Sequence, residues 1–159
     1  PLASVLEAVP DDVWIQLELK ETGLAERVRR RVEGAGVDAR VSSFRPAALE
    51  EVAALGWDVS TGLLFDERPR EHLETALELG CDVVHPHYDC CLGTDVVAEA
   101  HEAGLRAVAW KAVATADEVA ALSAVGVDGV TADRWDVVAG SPSGPGEAPD
   151  REGSVAAND

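Results

Sequence analysis

The chain has 159 residues, enough for one domain with a substantial core, and 47% of them are apolar. Its 30 Asp and Glu outnumber 13 Lys and Arg, and the net charge of −17 excludes a nucleic-acid partner, because the phosphate backbone is held by clustered cations. No apolar run nears the roughly 20 residues that span a bilayer, and no cationic stretch leads into an apolar one at the start, so a cytoplasmic protein without a transmembrane segment is expected.

The elements follow one another regularly. PLASVLEAVP (1–10) reads as a short helix entering directly into a first strand, VWIQLEL (13–19). Leu24, Val28 and Val32 then lie four apart among Glu and Arg, the stripe of an amphipathic helix. A second strand, ARVSSF (39–44), precedes a helix marked by Leu49, Val52 and Leu55. TGLLF (61–65) precedes another marked by Leu73, Ala76 and Leu77. DVVHP (82–86), LRAVAW (105–110) and DGVTAD (128–133) complete six strands, and Thr115 opens the intervening helix with a capping box to Glu118. His72 and His101 fall in helical segments, where a solvated histidine is expected.

Five glycines, Gly36, Gly56, Gly80, Gly104 and Gly126, each follow a helical segment and precede an apolar run. Such residues take the left-handed conformation that ends a helix. The chain is therefore a series of βα units, and strands alternating with helices at this pitch are parallel. A doubly wound open sheet and a fragment of a (β/α)8 barrel both accept six units. An open sheet gathers its polar residues at one switch point, whereas here they end every strand, which favours the barrel fragment. From 139 onward GSPSGPGEAPDREGSVAAND has no period and reads as a disordered acidic tail, leaving residues 1–138 as the domain.

Only two of the 13 cations are lysines, Lys20 and Lys111. An acidic surface with arginine in place of lysine fits a halophile cytosol, where molar salt screens self-repulsion over about 3 Å. Lysines that survive such selection are biased towards sites needing a compact cation, and both follow strand ends. Glu18 and Lys20 alternate on one strand, so they share a face; the spacing suits a buried ion pair or a metal-plus-phosphate site. His85 and His87, in HPHY, have the i, i+2 spacing of a same-face metal pair, or are polar filler where Pro86 ends the strand. Cys81, Cys90 and Cys91 lack CxxC spacing and are expected as reduced thiols. GxSxG, GxGxxG and Walker A patterns are absent.

Taken in order, LELK, SSF, GLLFDE, VHP, GLRAVAW and GVDGVTAD resemble the glycerophosphodiester phosphodiesterase family over about residues 2–133. The resemblance implies a (β/α)8 barrel that uses a divalent cation, Ca²⁺ or Mg²⁺, to hydrolyse glycerophosphodiesters to glycerol 3-phosphate and an alcohol. It implies Glu18 as a metal ligand and Lys20 as a phosphate-facing lysine. Phe44 and Trp110 would line the substrate pocket, with Lys111 and His85 as further phosphate- or substrate-binding candidates. The family's H-R-G, E-x-D and H-D motifs lie upstream of the glutamate strand and are not in this sequence, and its W-T-x-N reads W-K-A-V at 110–113. A barrel segment lacking the catalytic histidines and two of three metal carboxylates is expected to be inactive alone. It would also expose two strand edges open to self-association. The alternatives are a non-catalytic phosphate-binding or assembly protein that reuses the fragment, and a complete six-stranded open α/β protein.

Overall fold

A computed structural model describes residues 2–113, 115–134 and 137. The proposed tail at 139–159 lies outside the described residues, as does the end of the proposed domain.

The strands are β1 (Ile15–Glu18), β2 (Ala39–Ser43), β3 (Ser60–Phe65), β4 (Val83–Pro86), β5 (Arg106–Val113) and β6 (Gly129–Ala132). The helices are α1 (Leu2–Leu6), α2 (Ala25–Ala35), α3 (Pro46–Ala54), α4 (Pro69–Glu78), α5 (Tyr88–Gly93), α6 (Val96–Glu102) and α7 (Ala116–Ala124). All five repeat glycines take positive φ, from 58° to 85°, as helix ends leading into strands require. Thr115 and Glu118 form the expected capping box at α7.

All neighbouring strands pair in parallel, and the sheet order is β1-β2-β3-β4-β5-β6. A doubly wound sheet must reverse its order once, because that reversal puts helices on both faces. Monotonic order puts every crossover on the same side and curls the sheet into the arc of a (β/α) barrel. The complete open α/β protein is thereby set aside.

The two faces of the arc differ in kind. Val41, Leu63, Phe65, Val84, Ala107 and Ala109 point outward and pack against Val28, Leu49, Val52, Ala76, Ala100 and Leu122 of the helices, all within one buried cluster. The register places the alternate residues on the concave face, where Gln16 is level with Arg40 and Ser60, and Glu18 with Ser42, Gly62, Val83 and Arg106. A strand with one face on helices and the other inside a barrel mixes apolar and polar residues in this way.

The helix histidines are partnered. His72 stacks on Phe65 at 5.0 Å, and His101 Nε2 lies 2.9 Å from Asp128 Oδ2. Cys81, Cys90 and Cys91 are free and buried, as expected of reduced thiols. Burial, with Cys90 alongside, pushes the Cys91 thiol up to about 12, which leaves it unreactive near neutral pH.

Candidate active-site mouth

The C-terminal strand ends form the mouth of the arc. Glu18 ends β1, and Lys20 Nζ donates to its Oε2 at 2.6 Å. The pair is not buried: the side chains are 28% exposed for Glu18 and 75% for Lys20. The expected burial fails because β1 is an edge strand, paired only with β2 among the described residues. Ser43 ties this end together, donating to Leu19 O at 2.7 Å and accepting from Arg45 N at 3.0 Å.

Phe44 follows β2 and Trp110 lies on β5, yet their rings meet edge to face at 5.0 Å. In a flat sheet these strands would be about 14 Å apart. Curvature therefore brings the two rings together on the concave side. Trp110 is fixed further by Nε1–H donating to Phe65 O at 3.0 Å and by the ring of His87, also edge to face at 5.0 Å. Aromatic pairs of this geometry add about 0.5–1.5 kcal/mol each beyond their burial.

His87 was visible in the sequence only as half of a possible metal pair. Here its side chain is 9% exposed, and its Nδ1 accepts from Asp89 N at 3.1 Å, capping α5. An Nδ1 that accepts an amide proton carries none, so the neutral ring holds its proton on Nε2. The alternation across Pro86 puts His87 on the concave face, level with Trp110.

His85 lies one step deeper. It is 5% exposed and packed so closely on Gly62 that a Cβ there would lie 2.6 Å from its Nε2. Burial pushes its pKa down to about 4, with Arg106 and Arg40 adding to the effect and the Val108 backbone opposing it. At neutral pH it is an uncharged wall of the barrel interior, set back from the mouth.

Lys111 is not at the end of β5, which continues to Val113. Pairing steps from Ala109↔Val130 to Val113↔Ala132, so β5 carries two extra residues at this point, and Lys111 takes φ 90°. Such bulges re-aim side chains at barrel rims, and a non-glycine residue at positive φ stores about 1–3 kcal/mol of strain. Lys111 is exposed.

A divalent cation finds few ligands here. Among the described residues no group of three or more His, Cys, Asp or Glu side chains could hold an ion. Glu18 already has Lys20 on one oxygen, and His87 Nδ1 is committed to α5. Ca²⁺ takes 6–8 oxygens and Mg²⁺ about six, so these residues do not by themselves fit either.

A parallel arc with its polar residues spread over the strand ends defines a barrel of the enzyme-bearing (β/α) class, whose chemistry lies at this face. Within that class, the profile of the glycerophosphoryl diester phosphodiesterase family matches residues 10–137, and the chain belongs to that family. Solved structures agree in fold. A protein from Silicibacter pomeroyi, provisionally assigned as a glycerophosphoryl diester phosphodiesterase, superposes with TM-score 0.73 at 20% identity, covering 86% of this chain and 55% of its own. One from Galdieria sulphuraria, provisionally assigned as a glycerophosphodiester phosphodiesterase, gives 0.70 at 24%, covering 82% and 57%. An Oleispira antarctica phosphodiesterase, in complex with the product sn-glycerol-3-phosphate, gives 0.61 at 23%, covering 74% and 50%. The chain thus spans just over half the length of the first two. No curated protein sequence matches it.

Proposed function

We propose that this chain supplies one side of the active-site mouth of a metal-dependent glycerophosphodiester phosphodiesterase. Glu18 contributes one carboxylate to a cation site, Lys20 faces the phosphate, and Phe44 with Trp110 walls the alcohol side. The observation that carries the reading is that Glu18 ends β1 on the concave side of the arc with Lys20 paired to it just beyond, where Phe44 and Trp110 meet edge to face. Lys111, exposed on its bulge, is a further phosphate-facing candidate, and His85 acts from behind as packing. Among the described residues no three-donor group could hold the cation, and the H-R-G, E-x-D and H-D motifs are not in the 159-residue sequence.

Two measurements test this. The chain alone, given glycerophosphocholine in high salt with Mg²⁺ or Ca²⁺, should release no glycerol 3-phosphate; metal-dependent release would show that the described residues suffice. Binding of sn-glycerol 3-phosphate, followed by calorimetry, should weaken about tenfold in Lys20→Ala, as expected for loss of one charge-assisted phosphate contact. Equal affinity in the two proteins would remove Lys20 from the phosphate site. The exposed Lys20 and Lys111 also suit a non-catalytic phosphate-binding protein. An upstream reading frame encoding His-Arg-Gly and then Glu-x-Asp separates the enzyme from that alternative.

A further inference from the structure

No motif marks Arg45, yet the fold pins it at the rim of the mouth. It immediately precedes α3, and Pro46 after it holds its backbone extended, at φ −109° and ψ 108°. Ser43 Oγ accepts from its amide at 3.0 Å and donates to Leu19 O, so this corner is tied to the end of β1. The side chain crosses to the same strand end, where Nε donates to Lys20 O at 2.8 Å. Only the Nε–H is thereby used, and the fork formed by Nη1 and Nη2 is left over.

What Arg45 lacks is a carboxylate. Arg30 and Arg70 are spent on Glu26 and Glu99, at 3.3 and 2.6 Å. Arg45 is exposed, and among the described residues it pairs with no acidic side chain. A backbone carbonyl orients a guanidinium without neutralising it. Its neighbours at this corner, Glu18 and Lys20, cancel each other, so the three side chains together carry a net positive charge in a chain whose total is −17.

We propose that Arg45 is a second phosphate-binding residue of this site, its Nη fork taking two oxygens of the phosphate that Lys20 faces. The inference rests on the reading of Lys20 given above and adds a partner to it. Lys20 is a point charge already shared with Glu18, whereas a planar fork meets a tetrahedral oxyanion at two atoms and fixes its orientation. Because the guanidinium is held before a ligand arrives, little side-chain freedom is lost on binding. The ligand class is a phosphate oxyanion, esterified or free.

The test is calorimetry on the full chain at low ionic strength, with sn-glycerol 3-phosphate and inorganic phosphate as separate probes. Arg45→Ala should weaken both about tenfold, and Arg45→Lys, which keeps the charge but not the fork, about threefold. The double variant of Lys20→Ala with Arg45→Ala should bind less tightly than either single one, because each cation touches the phosphate itself. Circular dichroism should be unchanged throughout, since both positions are exposed. Equal affinity in wild type and Arg45→Ala overturns the proposal, as does a loss confined to glycerol 3-phosphate, which would put Arg45 on the glycerol. A double variant no weaker than Lys20→Ala also overturns it, because Arg45 would then act only by holding Lys20. If Lys20→Ala weakens binding while Arg45→Ala does not, this inference fails alone. If neither does, or the wild type binds neither probe, the phosphate site fails with it.

Discussion

Gly62 and His85 show how tightly one residue choice constrains another. The imidazole occupies the space where a side chain on Gly62 would sit, and being 95% enclosed it has nowhere to move. Gly62→Ala should therefore destabilise the fold by about 1–3 kcal/mol, the usual cost of overpacking, and lower Tm by several degrees. His85→Ala should cancel most of that loss in the double variant, and additive losses in a thermal-melt cycle would disprove the contact. The same burial predicts a pH dependence. The folded-state pKa of about 4 lies below the ordinary 6.5, so the unfolded chain binds the extra proton in between. Stability from this group is complete above pH 6.5 and is lost as pH falls towards about 4, a change of about 3 kcal/mol. Denaturant titrations at pH 7 and pH 5 should show the gap between the two pH values narrowing in His85→Gln, and an unchanged gap would place the dependence elsewhere.

At the scale of elements, the repeated Gly-x-Asp carries more than a helix stop. Asp82, just before β4, accepts from Thr61 N of β3 at 3.1 Å, and Asp128, just before β6, accepts from Ala107 N of β5 at 2.7 Å. Each carboxylate satisfies the amide of the second residue of the preceding strand, at the end of the ladder where the next strand has not yet begun. Burial alone would raise the Asp128 carboxyl, but the Ala107 amide, His101 and Arg106 outweigh it and hold the pKa below the usual range. Asp128→Ala should cost about 1–3 kcal/mol by orphaning that amide, measurable by urea titration, whereas Asp128→Asn, which keeps an acceptor, should cost less. Equal costs would mean that the amide finds another partner. The glycines and the 3.6-residue stripes made the βα units legible from the sequence, because both are local signals. The clasping role of the aspartates was not legible, since it depends on which strand lies alongside. At the mouth, alternation placed Glu18 and Lys20 on one face correctly, but their exposure follows from the edge position of β1. Likewise WKAV gave no sign of the bulge at Lys111, because a bulge is defined only against the partner strand.

For the molecule as a whole, strand order decides what composition and period left open. Six monotonic parallel strands curl, and the curl is what lets Phe44 reach Trp110 across two intervening strands. Curling also concentrates charge, because the helices form one convex shell, with Glu26, Glu33, Glu50, Glu71 and Glu74 all exposed on it. Some pair locally, as Arg70 does with Glu99 at 2.6 Å and Arg30 with Glu26 at 3.3 Å, but 13 cations cannot balance 30 acids. The remaining repulsion opposes compaction and is long-ranged at low salt, where the Debye length is about 10 Å at 0.1 M and about 3 Å at 1 M. Raising KCl over that range should therefore raise Tm by several degrees, most of it below about 0.5 M, where the screening length changes fastest. Chloride is preferable to sulfate for the measurement, because sulfate also strengthens apolar burial and would raise Tm without any charge effect. The exposed Glu18–Lys20 pair is weakened by the same screening, but a surface pair contributes only about 0–1 kcal/mol and cannot reverse the trend. A Tm that stays flat or falls with KCl would show that the folded chain tolerates its −17 without screening, and that the lysine shortage has a cause other than salt.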